Sequence, residues 1–323
     1  MPLLSLFLAT CACLGASGCS KAARGPHSPR RPPAALSAPV ALDPLTADEA
    51  ASEVHVRRHV ARLTRDIGER NPSKPWELAE TADYIAAELE DMGLPVARSG
   101  YETQGLMALN VSVTLPGGTR GHETVVVGAH YDSEEGSVGT DVAGSVAVLL
   151  ELARALRGAP LSRTTQLLFL ALGESAGARG DARSSVQASR EMAEGGKQVA
   201  AMISLERLGA MSITAERGKI PLTLAAGPGA GTLVALFREG LEGEPFEISA
   251  APFPAAVDES DVEAFSSRGI PSLVLTSSPH PKSAVNSSHL ARLVGRLRFA
   301  IAEVSGETRS NDGILTPGMA EVR

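Results

Sequence analysis

The sequence has few cysteines, and all of them lie at one end of the chain. The 323 residues include three, Cys11, Cys13 and Cys19, and none follows. A disulfide framework and a thiolate metal site are therefore excluded from the rest of the protein. Any metal site there must use histidine and carboxylate side chains.

Aromatic residues and positive charge are also scarce. Phe, Trp and Tyr make up 3% of the chain, and 30 Lys and Arg stand against 37 Asp and Glu, for a formal net charge of −7. Base-stacking platforms and a basic surface for nucleic acid are therefore not expected. Hydrophobic residues reach 43%, enough for a large buried core, so a disordered or fibrous chain is excluded.

The N-terminal segment lacks an apolar run long enough to cross a bilayer. Residues 3–14 are apolar, and small residues at 16–18 precede Cys19, a pattern typical of a secretory signal. Residues 16–19 resemble the lipobox of bacterial lipoproteins, which implies lipidation of Cys19, export to the cell envelope and anchoring to a bacterial membrane. No Lys or Arg precedes the apolar run, so a secreted or periplasmic protein without lipid is the alternative.

Composition divides the chain into four parts. Residues 1–18 are predicted to be a signal peptide of the lipoprotein type, and residues 19–44, rich in Pro and Ala, a flexible tether. Residues 45–305 are predicted to form one folded domain. Residues 306–323 are polar without periodicity, and we expect a disordered tail.

Helical and strand patterns alternate within the folded domain. Amphipathic helices are predicted between Thr46 and Gly68 and from Pro75 to Gly93. Strands are predicted at 96–101, 109–115, 124–129, 165–172, 199–205 and 271–276. The last four are nearly continuous apolar runs, typical of strands buried on both faces. The sequence therefore predicts an α/β fold with a doubly wound, mostly parallel central sheet and helices on both faces.

Imidazole and carboxylate side chains follow these buried strands. Ligands of open α/β sheets bind outside the carboxyl ends of the strands. The residues near these ends are His130, Asp132, Asp141, Glu174, Glu206 and His280. Each one alone has an ordinary structural explanation, such as a helix N-cap for Asp141. Their joint placement favours a metal site.

Charge favours two metal ions in that site. Three carboxylates and a bridging hydroxide carry four negative charges, which two divalent cations balance, while two imidazoles complete the shells. This ligand set suits zinc first, and two ions can activate a shared water and polarise a carbonyl. Asp132, two residues after His130, is placed to hydrogen-bond its imidazole.

Several segments of the chain match the motifs of one family. The most specific is residues 125–133, Val-Val-Val-Gly-Ala-His-Tyr-Asp-Ser, and the others are 66–71, 82–93, 141–147, 203–209 and 269–271. Together they resemble the zinc-dependent exopeptidases that include aminopeptidase Y-type enzymes and, more distantly, glutaminyl cyclases, with a phosphorylase/hydrolase-like fold. The resemblance implies that Asp141 bridges two zinc ions, with His130 and Glu206 completing one shell and Glu174 and His280 the other.

The chain departs from the family at the expected general base. Two consecutive glutamates follow the second buried strand in the family, a base and then a ligand, and this chain has Gly173-Glu174. Glu134 or Glu135 can substitute only if their loop folds over the site. The family's Ser-Asp-His is also replaced, by residues 260–262, Ser-Asp-Val.

The resemblance therefore implies an exported two-zinc hydrolase of the aminopeptidase type, cleaving peptide bonds near N-termini with a metal-bridged hydroxide. The substrate is expected to be a peptide or small amide, and the membrane is reached through the lipid on Cys19. A pseudoenzyme that binds zinc or peptides without efficient turnover is the alternative, because Gly173 removes the base. A glutaminyl-cyclase-like transferase is a third interpretation.

Overall fold

Helices and strands alternate along the folded chain, as the sequence predicts. The computed structural model describes residues 42–173, 177–178, 180–213, 218–252, 261–277, 285–309 and 315–317. All of them belong to one compact unit, Pro39–Arg323. The predicted signal peptide and Cys19 lie outside the described residues. Among the helices described, none is long and apolar enough to span a bilayer.

A single mixed sheet forms the centre of the fold. Its strands are β1 (Val96–Thr103), β2 (Leu106–Leu115), β3 (Arg120–His130), β4 (Arg163–Leu170), β5 (Gln198–Glu206), β6 (Ile220–Ala226), β7 (Phe246–Pro252) and β8 (Ser272–Ser277). They lie in the order β1-β2-β4-β3-β5-β8-β6-β7. The run β4-β3-β5-β8 is parallel, as is β6-β7. Antiparallel pairs join β1 to β2, β2 to β4 and β6 to β8.

Helices cover both faces of this sheet. They are α1 (Ala47–Ala61), α2 (Pro75–Asp91), α3 (Thr140–Leu156), α4 (Ser184–Glu194), α5 (Gly231–Leu241), α6 (Asp261–Ser266) and α7 (Ser287–Val304). Alternate residues of β3 face opposite ways. Val125 and Val127 pack into the core that α1, α2, α3, α5 and α7 share, whereas Val126 packs with α4 and α6. The predicted α/β fold class is confirmed.

Local sequence signals set the helix ends on the first face. Thr46 caps α1 in a capping box, since its hydroxyl accepts from the Glu49 N–H at 3.2 Å and its own N–H donates to the Glu49 carboxylate at 2.8 Å. A π-helical turn, Arg62–Ile67, continues α1 to Gly68. Gly68 has φ +86°, a left-handed value that favours glycine.

Two further short strands lie near the C-terminus. They are β9 (Glu307–Arg309) and β10 (Leu315–Pro317), and they pair antiparallel. Both fall in the segment for which the sequence predicts disorder. The boundaries of the predicted signal peptide, tether and domain stay predictions.

Candidate metal centre

Two of the predicted ligands lie at the carboxyl edge of the parallel strands. His130 is the last residue of β3 and Glu206 the last of β5. His130 Nε2 lies 2.8 Å from Oδ1 of Asp261, the first residue of α6. The Ser204 hydroxyl donates to Asp261 Oδ2 at 2.8 Å and lies 3.3 Å from Glu206 Oε1. The two predicted ligands are thus linked through Asp261 and Ser204.

Asp132 lies on the other side of the His130 ring. Its Oδ1 is 3.5 Å from His130 Nδ1, a charge contact longer than an ordinary hydrogen bond. Its Oδ2 accepts from the Gly173 N–H at 3.0 Å. Asp132 is fully buried. Its carboxylate therefore lies between the imidazole and the backbone that follows strand β4.

Buried polar side chains hold the backbone that follows β4. Three consecutive N–H groups, at residues 171–173, donate to Asn110 Oδ1 at 3.1 Å, Ser184 Oγ at 2.7 Å and Asp132 Oδ2 at 3.0 Å. All three acceptor side chains are at most 2% exposed. These contacts fix the chain immediately before Glu174, which lies outside the described residues, as does His280.

Gly173 lies directly against the His130 ring. A Cβ atom built on Gly173 would be 2.9 Å from both Cε1 and Nδ1 of that ring, closer than real side chains approach. The ring occupies the space that any side chain at 173 needs. A glutamate at position 173, where the resemblance places the general base, would therefore displace the His130 ring.

Arg70 holds the loop between β3 and α3. Its buried guanidinium donates to the carbonyls of Tyr131 at 2.8 Å and Val138 at 2.9 Å, and also to carbonyls at the end of the first helical segment. Burial lowers the pKa of Arg70 to about 10, although the carboxylates of Asp132 and Asp141 partly oppose this. Asp141 lies in the first turn of α3, and no direct contact joins it to His130 in the described structure.

The pKa shifts of the buried cluster report crowded negative charge. Burial, and next the carboxylate of Asp261, raise the pKa of Glu206 to about 7. Burial alone would raise the pKa of Asp261, yet the neighbouring His130 holds it below its usual value. Burial alone would likewise lower the pKa of His130, but Asp261 and Asp132 raise it well above the usual range.

The donor set fits a divalent cation. Asp261 and Asp132 contact a single imidazole, and Glu206 lies next to Ser204, which donates to Asp261. A cation neutralises such an excess of carboxylates. His130 Nδ1 and Asp132 Oδ1 are buried and have no hydrogen-bond partner. No group of three His, Cys, Asp or Glu side chains within the described ranges stands ready to hold a metal ion. Because Glu174 and His280 are not among them, the described residues form only part of the predicted ligand set.

The carboxylates considered as substitute bases do not reach this cluster. Glu134 and Glu135 are exposed, and neither contacts His130 in the part of the chain that the structure describes. Their loop is held away at its tip, where the Gly136 N–H donates to Glu69 at 2.8 Å. Asp261, by contrast, does reach His130, although the sequence analysis does not predict it as a site residue.

The sequence contains a signal for Asp261. The Ser-Asp pair at 260–261 matches the first two residues of the Ser-Asp-His motif, although Val262 replaces the histidine. The second position of the motif is thus unaltered, and its carboxylate contacts His130.

Comparison with protein-family models identifies the family. The model of peptidase family M28 matches residues 110–290, more than half of the chain. The chain belongs to peptidase family M28. The matched segment includes β3, β4, β5 and β8, and with them all five predicted ligand positions. Membership in M28 gives the chain a metallopeptidase-like hydrolase fold and confirms the suspected family.

Solved structures share the M28 fold at low sequence identity. A zinc aminopeptidase from Bacillus subtilis is 12% identical, with a TM-score of 0.62, covering 82% of this chain and 98% of that one. A glutaminyl cyclase from an Acidobacteriales bacterium is 16% identical, with a TM-score of 0.63 and coverages of 84% and 99%. A glutaminyl cyclase from Macrostomum lignano is 17% identical, with a TM-score of 0.61 and coverages of 81% and 94%. No curated protein matches the sequence.

Proposed function

We propose that this M28 chain is a zinc-dependent hydrolase of the aminopeptidase type, acting on peptides or small amides near their N-termini. The observation that carries the proposal is the M28 match, which contains every predicted ligand. The linkage of His130 and Glu206 at the carboxyl edge of the sheet supports it. The zinc aminopeptidase of Bacillus subtilis, which shares the fold, supports zinc as the metal.

Five residues would hold two zinc ions in this proposal. They are His130, Asp141, Glu174, Glu206 and His280. When bound, zinc supplies a Lewis acid for the scissile carbonyl and makes water more acidic. Asp132 orients the His130 ring from its Nδ1 side, and Arg70 fixes the loop on which Asp132 lies. Gly173 supplies no proton acceptor, because it has no side chain.

A catalytically impaired pseudoenzyme is the second candidate, and the packing of Gly173 favours it. A positioned general base contributes about 10²- to 10⁴-fold to rate, and a glutamate cannot enter position 173 while His130 keeps its place. In this reading the same residues bind zinc or peptide without efficient turnover.

Metal content and hydrolysis test the two candidates together. Zinc per chain is measured by mass spectrometry, and hydrolysis of aminoacyl anilides is measured with and without chelator. Chelator-sensitive hydrolysis supports the hydrolase, and bound zinc without hydrolysis supports the pseudoenzyme. A chain that binds no zinc contradicts both. Cyclisation of a peptide with N-terminal glutamine is assayed in parallel for the transferase interpretation.

The ligand assignment has its own test in histidine variants. His130→Ala and His280→Ala should each lower the zinc content. His122→Ala is the matched control, because His122 lies on β3 with its side chain 69% exposed. Unchanged zinc in the first two variants would refute the assignment.

We also propose export and lipid attachment at Cys19, with anchoring to a bacterial membrane. Labelled palmitate should enter the wild-type chain and the Cys13→Ser control but not Cys19→Ser. The Cys19→Ser variant should leave the membrane fraction. Secretion without lipid predicts no label in any of the three proteins.

A further inference from the structure

A cavity lies among three helices, away from the metal centre. It has a volume of about 510 Å³ and opens between α1, α3 and α7. Cavities of about 300 to 1,000 Å³ are typical of small-molecule sites. Glu151 lines it, ten residues after Asp141 on α3, which corresponds to about 15 Å along that helix. We call it the helix cavity.

Small residues create the space. Ala51 of α1, Ala155 of α3, and Ala291 and Gly295 of α7 all line the helix cavity. A Cβ atom built on Gly295 meets no atom within 4 Å, so this helical position faces open space. Larger side chains at these positions would fill the volume.

Arginines outnumber carboxylates in the lining of the cavity. The arginines are Arg154, Arg292, Arg296 and Arg298, and the carboxylates are Asp48, Glu49 and Glu151. Arg292 is 13% exposed, and its buried Nε has no hydrogen-bond partner. Its nearest carboxylate, Glu49, is 3.8 Å away and already accepts from Thr46 in the capping box. Arg296 also lines the cavity, with its guanidinium beside Gly243, and no carboxylate pairs with it among the described residues.

The buried acidic group on the cavity wall is already partnered. Glu151 is 1% exposed, accepts from Arg154 Nε at 3.1 Å and lies 3.2 Å from His55 Nδ1. The Glu151 carboxylate therefore already has partners within the protein. Arg154 uses only its Nε in this contact, so its terminal N–H groups remain available as donors. Guanidinium groups with free donors bind carboxylate and phosphate oxygens. Phe299 adds an apolar surface at the rim.

We propose that the helix cavity binds a small organic anion. Its carboxylate or phosphate group meets Arg292 and Arg296, and its apolar part covers Phe299 and the small residues of the floor. The same headgroup chemistry has two sources, a soluble metabolite or an anionic phospholipid. Arg292 donates to the carbonyl of Asp43, so the cavity adjoins the segment that leads back to the proposed lipid attachment at Cys19. Both sources are therefore tested.

Phenyl phosphate is the probe, titrated calorimetrically into the full chain carrying Cys19→Ser, so that no lipid is attached. We expect saturable binding that Arg296→Ala weakens at least tenfold. Arg57→Ala, which removes an exposed arginine of α1 outside the cavity, should change it less than twofold. Absence of saturable binding, or equal weakening by Arg57→Ala, would overturn the proposal.

A cavity-filling variant tests the location independently of charge. Gly295→Leu places a side chain in the open space without removing an arginine, and it should abolish binding while leaving the melting temperature equal or higher. Gly231→Leu is the control, because Gly231 is also helical with no atom within 4 Å of a built Cβ. Binding that survives Gly295→Leu would overturn the assignment to this cavity.

Vesicles distinguish the two sources. The same chain is sedimented with phosphatidylglycerol and phosphatidylcholine vesicles. Sedimentation that depends on Arg296 and is reversed by phenyl phosphate identifies the lipid headgroup, whereas phenyl phosphate binding without sedimentation identifies a soluble anion. Zinc content should be unaffected by all of these variants, so this proposal and the proposed hydrolase function can fail separately.

Discussion

At the scale of single residues, the His130 ring fills the space where a side chain at position 173 would lie. Gly173→Ala puts a methyl group about where the His130 ring lies, 2.9 Å from two of its atoms, and overpacking of this kind costs about 1 to 3 kcal/mol. We expect the ring to shift and zinc affinity to fall at least tenfold, measured by chelator competition. Gly231→Ala is the control with open space at its Cβ. Unchanged affinity in Gly173→Ala would show that the ring is not held against residue 173.

The same contact limits any attempt to restore a general base. Gly173→Glu adds a carboxylate that can act as a base, which favours hydrolysis. It also displaces the His130 ring, which lowers zinc affinity, so the two effects on activity oppose each other. Activity that appears in this variant with full zinc content would mean that the ring has a second acceptable position.

Residue types at strand ends were predictable, but their contacts were not. His130 and Glu206 could be predicted because each follows an apolar run at the carboxyl edge. The Ser-Asp pair marks Asp261 in the sequence, but its contact with His130 could not be predicted, because it joins positions 131 residues apart. No local pattern encodes the distance between two such residues.

At the scale of elements, the backbone after β4 depends on side chains from other elements. Ser184→Ala removes the acceptor for the Leu172 N–H, and a buried unpaired donor costs about 1 to 3 kcal/mol. We expect lower stability in urea and weaker zinc binding, since this chain leads to Glu174. Ser112→Ala on β2 is the control and should change neither. Lower stability with full zinc affinity would show that this contact serves the fold alone.

Arg70 performs a similar task for the loop between β3 and α3. Arg70→Lys keeps the charge but replaces a rigid fork, which reaches several carbonyls, with a single ammonium. We expect a loss of about 2 to 4 kcal/mol in unfolding free energy, as for other broken buried networks. Arg98→Lys, at an exposed pair with Asp83, is the control. Equal losses in the two variants would contradict this role for Arg70.

The centre of the sheet and its β1-β2 edge were predictable, and its β6-β7 edge was not. Strands β3, β4, β5 and β8 are apolar runs buried on both faces, so composition alone identifies them. Strands β6 and β7 are mixed in burial, and β6 lies between β8 and β7, antiparallel to β8 and parallel to β7. Such an insertion depends on pairing between distant segments, which periodicity does not report.

At the scale of the whole molecule, stability should depend on pH through His289. This residue is 5% exposed in α7, and burial, with Arg292 nearby, lowers its pKa to about 4 from an ordinary value near 6.5. The folded chain therefore keeps the imidazole neutral, while the unfolded chain takes up a proton below pH 6.5. The contribution of His289 to the free energy of unfolding is therefore fully present above pH 6.5. It is lost as the pH falls from about 6.5 to 4, by up to about 3 kcal/mol.

His289→Gln should flatten this part of the plot of unfolding free energy against pH, because it removes the group that takes up a proton only in the unfolded chain. The measurement is urea unfolding from pH 7.5 to 4 for His289→Gln, for the wild type and for the control His122→Gln. The His122 side chain is 69% exposed. Equal slopes in His289→Gln and the wild type would assign the acid sensitivity to other groups. Because this histidine adjoins Arg292, binding of phenyl phosphate in the helix cavity should be measured at pH 7.5, where the imidazole is neutral in both states of the chain.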